Sequence, residues 1–234
     1  MKNFFFKLYC CVGILLTSNL MAQNSSYDLL NPSMKQIASP ESEQNWIKFK
    51  TSAKINPETI FEDHKVAFEL SAFDKMVVNK TFVDDIGFTH RNYQQYFKGI
   101  LIDGESINVH TNKNGETYAA TGRILKGINV EITPKITAQQ AIEIALKYVN
   151  AKEYMWQNTF WENELKKKNN DPKATYYPSP TLVIKEKRNY NQGLGIFNLV
   201  YRMDIASSSP HYSQRIFVDA HSGEIIDKYP LESN

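Results

Sequence analysis

Cysteine is scarce. The 234-residue chain has two, Cys10 and Cys11, and both lie in an apolar run at the amino terminus. Beyond that run there is no disulfide framework, no thiol nucleophile and no thiolate metal site. Histidine is also sparse. The five histidines, His64, His90, His110, His211 and His221, include no pair at i and i+4 around a glutamate, the spacing that lets two helical imidazoles share one zinc ion. His90 and His110 fall on candidate neighbouring strands, but no third ligand stands beside them, so no metal is expected. No serine sits in a Gly-x-Ser-x-Gly elbow. Gly193-Leu194-Gly195 lacks the third glycine and the opening helix of a nucleotide cradle. Adjacent Asp84 and Asp85 would point to opposite faces of a strand, so they read as a turn, not a carboxylate pair. Charge of one sign is missing as well: the formal net charge is +2, which suits neither nucleic acid nor another polyanion. No catalytic residue and no cofactor are expected, and the chain does not read as an enzyme.

What is present begins at the amino terminus. Lys2 and Lys7 open the chain, an apolar run covers residues 8–20, and Ala22 precedes the polar Gln23-Asn24-Ser25-Ser26. A charged start, an apolar middle and a small residue at the exit make a secretory signal peptide. The run is shorter than the roughly 20 apolar residues that span a membrane. Cleavage is expected between Ala22 and Gln23, which leaves no membrane segment and sends the chain to the extracellular space or periplasm. Of the 27 basic residues 25 remain after cleavage, matching 25 acidic ones.

The rest divides by pattern. Residues 23–55 form a loosely held polar arm with one short amphipathic piece around Trp46, Ile47 and Phe49. Asn56-Pro57-Glu58 is a helix start, with an asparagine cap, proline at the first helical position and acid in the first turn. Ile60, Phe61, Ala67 and Phe68 follow at helical spacing, with His64 as a half-buried neighbour of that stripe. Residues 73–124 read as an antiparallel meander. Gly99 turns the chain, Gly104 marks a bulge or second turn, and Asn112-Lys113-Asn114-Gly115 makes a hairpin. After Pro134, Thr137-Ala138-Gln139-Gln140 matches a capping box. It opens a helix whose apolar face is Ala141, Ile142, Ala145, Leu146 and Val149, broadened by Ile144 and Tyr148. Residues 163–177 are a charged, Lys-rich insertion whose basic run, Lys166 to Lys168, reads as a solvated helix end, and strands at 181–187, 196–206, 214–220 and 224–229 close the chain. The fold expected is α+β, with two small helix-on-antiparallel-sheet domains in tandem at 56–132 and 133–234.

Two stretches carry a resemblance. Gly87-Phe88-Thr89-His90-Arg91-Asn92-Tyr93-Gln94-Gln95-Tyr96-Phe97-Lys98-Gly99-Ile100-Leu101-Ile102-Asp103-Gly104 resembles the signature of the fungalysin/thermolysin propeptide (FTP) domain, as does the segment through Asn114-Gly115-Glu116 and Gly122-Arg123. The capped helix from Thr137 and the closing Val218-Asp219-Ala220-His221-Ser222-Gly223-Glu224-Ile225 resemble the PepSY domain that follows it in thermolysin-like precursors. The resemblance implies a non-catalytic pro-region that templates folding of a zinc metallopeptidase and blocks its cleft. Its motif residues would be Arg91, Tyr93, Gln94, Gln95, Gly99, Gly104, Asp219 and Gly223. The glycines would set backbone geometry, and Arg91 with Gln94 or Gln95 would make buried hydrogen bonds. The implied partner is the catalytic domain of a thermolysin-like metallopeptidase, in trans or in a longer precursor. Three readings stay open: a free-standing inhibitor and folding helper, the front of a zymogen whose catalytic domain is missing, and a secreted binding module that reuses the propeptide fold.

Overall fold

The computed structural model describes residues 26–43, 45–187 and 195–231. Cys10, Cys11, the expected cleavage site at Ala22 and Gln23, and the pair Gly193-Leu194 lie outside the described residues. In chain order the elements are α1 (Pro32–Ile37), β1 (Trp46–Lys48), α2 (Ile60–Asp63), β2 (Asp74–Val83), β3 (Thr89–Phe97), β4 (Ile100–Thr111) and β5 (Thr117–Gly122). There follow α3 (Ala138–Val149), β6 (Glu153–Tyr154), α4 (Thr159–Asn169), β7 (Thr181–Lys187), β8 (Ile196–Ser209), β9 (His211–Asp219) and β10 (Ile225–Pro230). The fold is mixed α+β.

The strands run in the order β1-β5-β4-β7-β8-β9-β10, with β3 on β4, β2 on β3 and β6 on β8. All of these pairings are antiparallel except β4 with β7, which meet in parallel at Ile102 and Ile184. One core gathers Met34, Phe49, Ile60, Phe61, Tyr93 and Val109. A second gathers Ile142, Ala145, Leu199, Met203 and Ile216. Phe97, Ile102 and Leu125, from the first half of the chain, belong to this second core.

The β3–β4 hairpin reaches both cores because it bends. Its register runs Gln94 to Ser106 and then slips to Tyr96 opposite Leu101. Gly104, at φ +84°, lies between Leu101 and Ser106, where the register of β4 against β3 shifts. A bulge of this kind bends the strand and increases its twist. Tyr93, Ile107 and Val109 therefore pack on one core, and Phe97 and Ile102 pack on the other. The expected bulge at Gly104 is thus the joint between the two packing units.

The capping box is present. Thr137 Oγ1 accepts from Gln140 N at 3.2 Å, and Gln140 Oε1 accepts from Thr137 N at 2.8 Å. α3 buries Ala141, Ile142 and Ala145, with Ile144, Leu146 and Val149 packed alongside. Tyr148 does not broaden this face: it is exposed, and its hydroxyl accepts from Lys228. α4 has no buried residue and ends in Lys166, Lys167 and Lys168, as a solvated helix end should.

Two expectations are corrected. Beyond residue 25 the polar arm is packed in place: Met34, Ile37, Ala38, Phe49 and Ile55 are buried. Its α1 is capped by Asn31, whose side chain accepts from Met34 N, and β1 pairs with β5 from Trp46–Thr121 to Lys48–Ala119. The helix start at Asn56 forms only its local turn. Asn56 Oδ1 accepts from Glu58 N at 3.0 Å, and the helix proper is the four residues of α2. The apolar stripe survives the change, since Ile60, Phe61, Ala67 and Phe68 are all buried and His64 is half-buried.

Candidate functional site

β3 is central to its part of the sheet, with β2 on one side and β4 on the other. Successive side chains on a strand point to opposite faces. Tyr93, Gln95 and Phe97 are buried, whereas His90, Asn92, Gln94 and Tyr96 are half-buried on the opposite face. Gln94 and Gln95, neighbours in the motif, therefore have different surroundings.

Gln95 is 1% exposed and fully bonded. Its Nε2 donates to Leu125 O at 2.9 Å and to Asp74 Oδ1 at 2.8 Å, and its Oε1 accepts from Leu125 N at 2.9 Å. The amide thus stands in for a strand partner and holds the chain leaving β5 against β3. Tyr93 donates its hydroxyl to Pro57 O at 2.5 Å and meets Phe61 edge-on at 4.9 Å. Burial pushes its phenol above the ordinary value, against the opposing charge of Arg91. Arg91 lies 3.5 Å from Glu58 in an ion pair. Tyr93 and Arg91 together tie β3 to the turn before α2. The hairpin closes on Lys98-Gly99, with φ +49° and +82°, so both central residues are left-handed as a tight two-residue hairpin demands.

Asp219 and Gly223 build a second turn, between β9 and β10. Asp219 Oδ1 accepts from His221 N at 2.9 Å and Ser222 N at 2.8 Å, and Oδ2 accepts from Asn198 Nδ2 at 3.0 Å. Burial alone would raise the Asp219 pKa, but the bonds from Ser222, His221 and Asn198 outweigh it and hold the carboxyl below its ordinary value. At Gly223, φ is +77° and an added Cβ would stand 3.0 Å from Ile144 Cδ1 of α3.

The open face of the sheet bears cross-strand amides. Asn79 Nδ2 donates to Asn92 Oδ1 at 3.2 Å, and Asn92 Nδ2 donates to Asn108 Oδ1 at 3.0 Å. Gln94 lies one pair further along, opposite Val77 and Ser106. At the edge of the same sheet, Val77, Val78, Phe82, Val83 and Ile86 are exposed apolar side chains. A half-exposed amide surface flanked by apolar side chains can bind protein. Among the described residues no group of three or more His, Cys, Asp or Glu side chains converges as metal ligands.

A charged seam joins the two packing units. Arg123 bonds Glu105 at 2.8 Å and also contacts Glu186, and Arg202 meets Asp103 at 2.5 Å. Lys185 lies 3.1 Å from Asp227. The Glu105 bond holds the Arg123 guanidinium firmly protonated against the cost of desolvation, with Glu186 adding to it. The sequence flagged Arg123 only through its motif. Asp74, Leu125 and Asn198, which satisfy Gln95 and Asp219, carry no local signal and were missed.

The sequence of β2 to β5 matches a known motif. Residues 74–124 match the Fungalysin/Thermolysin Propeptide Motif. The matched span runs from the first residue of β2 to one residue short of Leu125, and so contains Arg91, Tyr93, Gln94, Gln95, Gly99 and Gly104. The propeptide motif is no catalytic domain. The chain is also 25% identical over 163 residues to Bacillolysin from Brevibacillus brevis, a match covering 66% of this chain and 26% of that protein. It thus spans about a quarter of the length of the curated relative it matches. The Bacillus megaterium YpeB C-terminal domain is similar over 84% of this chain and 76% of its own, at 13% identity and a TM-score of 0.35.

Proposed function

We propose that this chain is a secreted pro-region that helps a thermolysin-like zinc metallopeptidase to fold and then occupies its cleft. The observation that carries the reading is the propeptide motif at 74–124, folded with its buried residues satisfied and its amide face open. The similarity to Bacillolysin supports the same class of partner. In this reading the signal segment is cut between Ala22 and Gln23 and the chain acts outside the cytoplasm. Residues 133–234 serve as a PepSY-type second unit. The catalytic domain is met in trans or within a longer precursor.

The chemistry required is modest. A surface that binds the folded peptidase and not its unfolded chain stabilises it by mass action. A segment lying across the cleft excludes substrate. In this reading Gln94, half-buried on the face opposite Tyr93 and Gln95, contacts the peptidase, whereas Tyr93 and Gln95 keep the sheet in shape. Refolding a denatured thermolysin-like catalytic domain with and without this chain tests the folding role. A higher yield of active enzyme is expected, and an unchanged yield opposes it.

A further inference from the structure

His90 and His110 are direct cross-strand partners on β3 and β4. Their Nδ1 atoms face each other at 2.6 Å. Each ring is also held from behind: His90 Nε2 lies 3.0 Å from Asp84 Oδ2, and His110 Nε2 lies 2.7 Å from Thr121 Oγ1. The Phe82 ring flanks His90 at 4.9 Å and Tyr118 lies 6.1 Å from His110. His90 and Asp84 retain some solvent contact.

Asp84 can only accept when ionised, so a neutral His90 ring carries its proton on Nε2 and turns a bare Nδ1 toward His110. One hydrogen must then lie between the two Nδ1 atoms. His110 supplies it when Thr121 donates to His110 Nε2. If Thr121 rotates to accept instead, His110 moves its proton to Nε2 and two imidazole lone pairs point at one spot. That is the donor set of a soft-to-borderline cation. The carboxylate and hydroxyl behind the rings are the outer partners that fix tautomer and orientation in histidine metal sites. Imidazole nitrogen is a preferred zinc ligand, at about 2.0–2.1 Å. Two such bonds at a tetrahedral angle put the nitrogens about 3.4 Å apart, so the rings need part by less than about 1 Å.

We propose that His90 and His110 form a two-imidazole site for a zinc-class divalent cation, which replaces the shared hydrogen between their Nδ1 atoms. Solvent completes the coordination, and Asp84 and Thr121 act as positioning residues. With both rings neutral no proton is released on binding; His110 changes tautomer and Thr121 turns its hydroxyl. The site goes beyond the pro-region reading and does not depend on it.

The test is titration of the full chain with zinc chloride, followed by imidazole nitrogen resonances. One equivalent should shift His90 and His110, leave His64, His211 and His221 in place, and convert His110 from the Nδ1–H to the Nε2–H tautomer. His110→Asn should abolish binding, and Asp84→Asn should weaken it about 10–100-fold. Should His110→Asn fail to fold, Thr121→Val keeps both ligands and should weaken binding while leaving circular dichroism unchanged. The absence of saturable shifts up to millimolar zinc would overturn the site, as would shifts confined to the other histidines.

Discussion

The side-chain amide of Gln95 pairs with both backbone groups of Leu125, thirty residues further along the chain, at 2.9 Å on each side. Gln95→Ala would leave the Leu125 N–H and C=O and the Asp74 carboxylate short of a partner inside the protein. Leaving a buried polar group unsatisfied costs about 1–3 kcal/mol. We expect a loss of about 2–4 kcal/mol in urea unfolding, together with faster hydrogen exchange at Leu125. An unchanged midpoint would mean that water or a neighbour replaces the amide at no cost.

Gln94→Ala should behave differently, although it is the adjacent residue of the same motif. Its side chain lies on the open face, and surface substitutions usually change stability within about 0.5 kcal/mol. The variant should unfold at the wild-type midpoint while losing affinity for a thermolysin-like catalytic domain. Equal destabilisation by the two substitutions would remove the distinction between the faces.

How much of this was legible in the sequence depends on the range of the interaction. The Thr137–Gln140 box closes within four residues, and the Lys98-Gly99 turn joins strands adjacent in the chain; both are read from local spacing. The pin from Gln95 to Leu125 has no local signature, because it is made by the sheet's bend and not by any repeat. The packed arm failed for a related reason. Met34, Ile37, Phe49 and Ile55 are scattered among polar residues and show no period, so only the presence of the first core buries them. At Asn56 the local spacing marks the cap but not the length of the helix. The chain turns after Asp63 and passes Glu69 at φ +55°, a conformation that ends helical continuation.

Gly223→Ala places a Cβ in a left-handed backbone and 3.0 Å from Ile144 Cδ1. Such strain costs about 1–3 kcal/mol. Ile144→Val removes the offending methyl and should recover part of the loss, leaving the backbone component. A double-mutant cycle by thermal unfolding measures it; strict additivity of the two substitutions would contradict the contact.

Asp219 makes stability depend on acid. Its folded pKa is depressed, so the unfolded chain takes up a proton more readily than the native one. Its contribution is therefore complete above the unfolded carboxylate value near about pH 4 and is lost as pH falls through the lower folded value. Asp219→Asn should be less stable than wild type at neutral pH, and the gap should narrow on acidification below about pH 4. A gap that stays constant down to the acid limb would show that the carboxylate charge is irrelevant to the β9–β10 turn.

A chain that occupies the cleft of a thermolysin-like metallopeptidase, as proposed, inhibits that enzyme. Purified chain, cleaved after Ala22, is titrated into such an enzyme, and hydrolysis of a small peptide substrate is followed. Saturable inhibition at one chain per enzyme is expected, weakened by Gln94→Ala with the fold intact. Full activity at large molar excess of well-folded chain would contradict it.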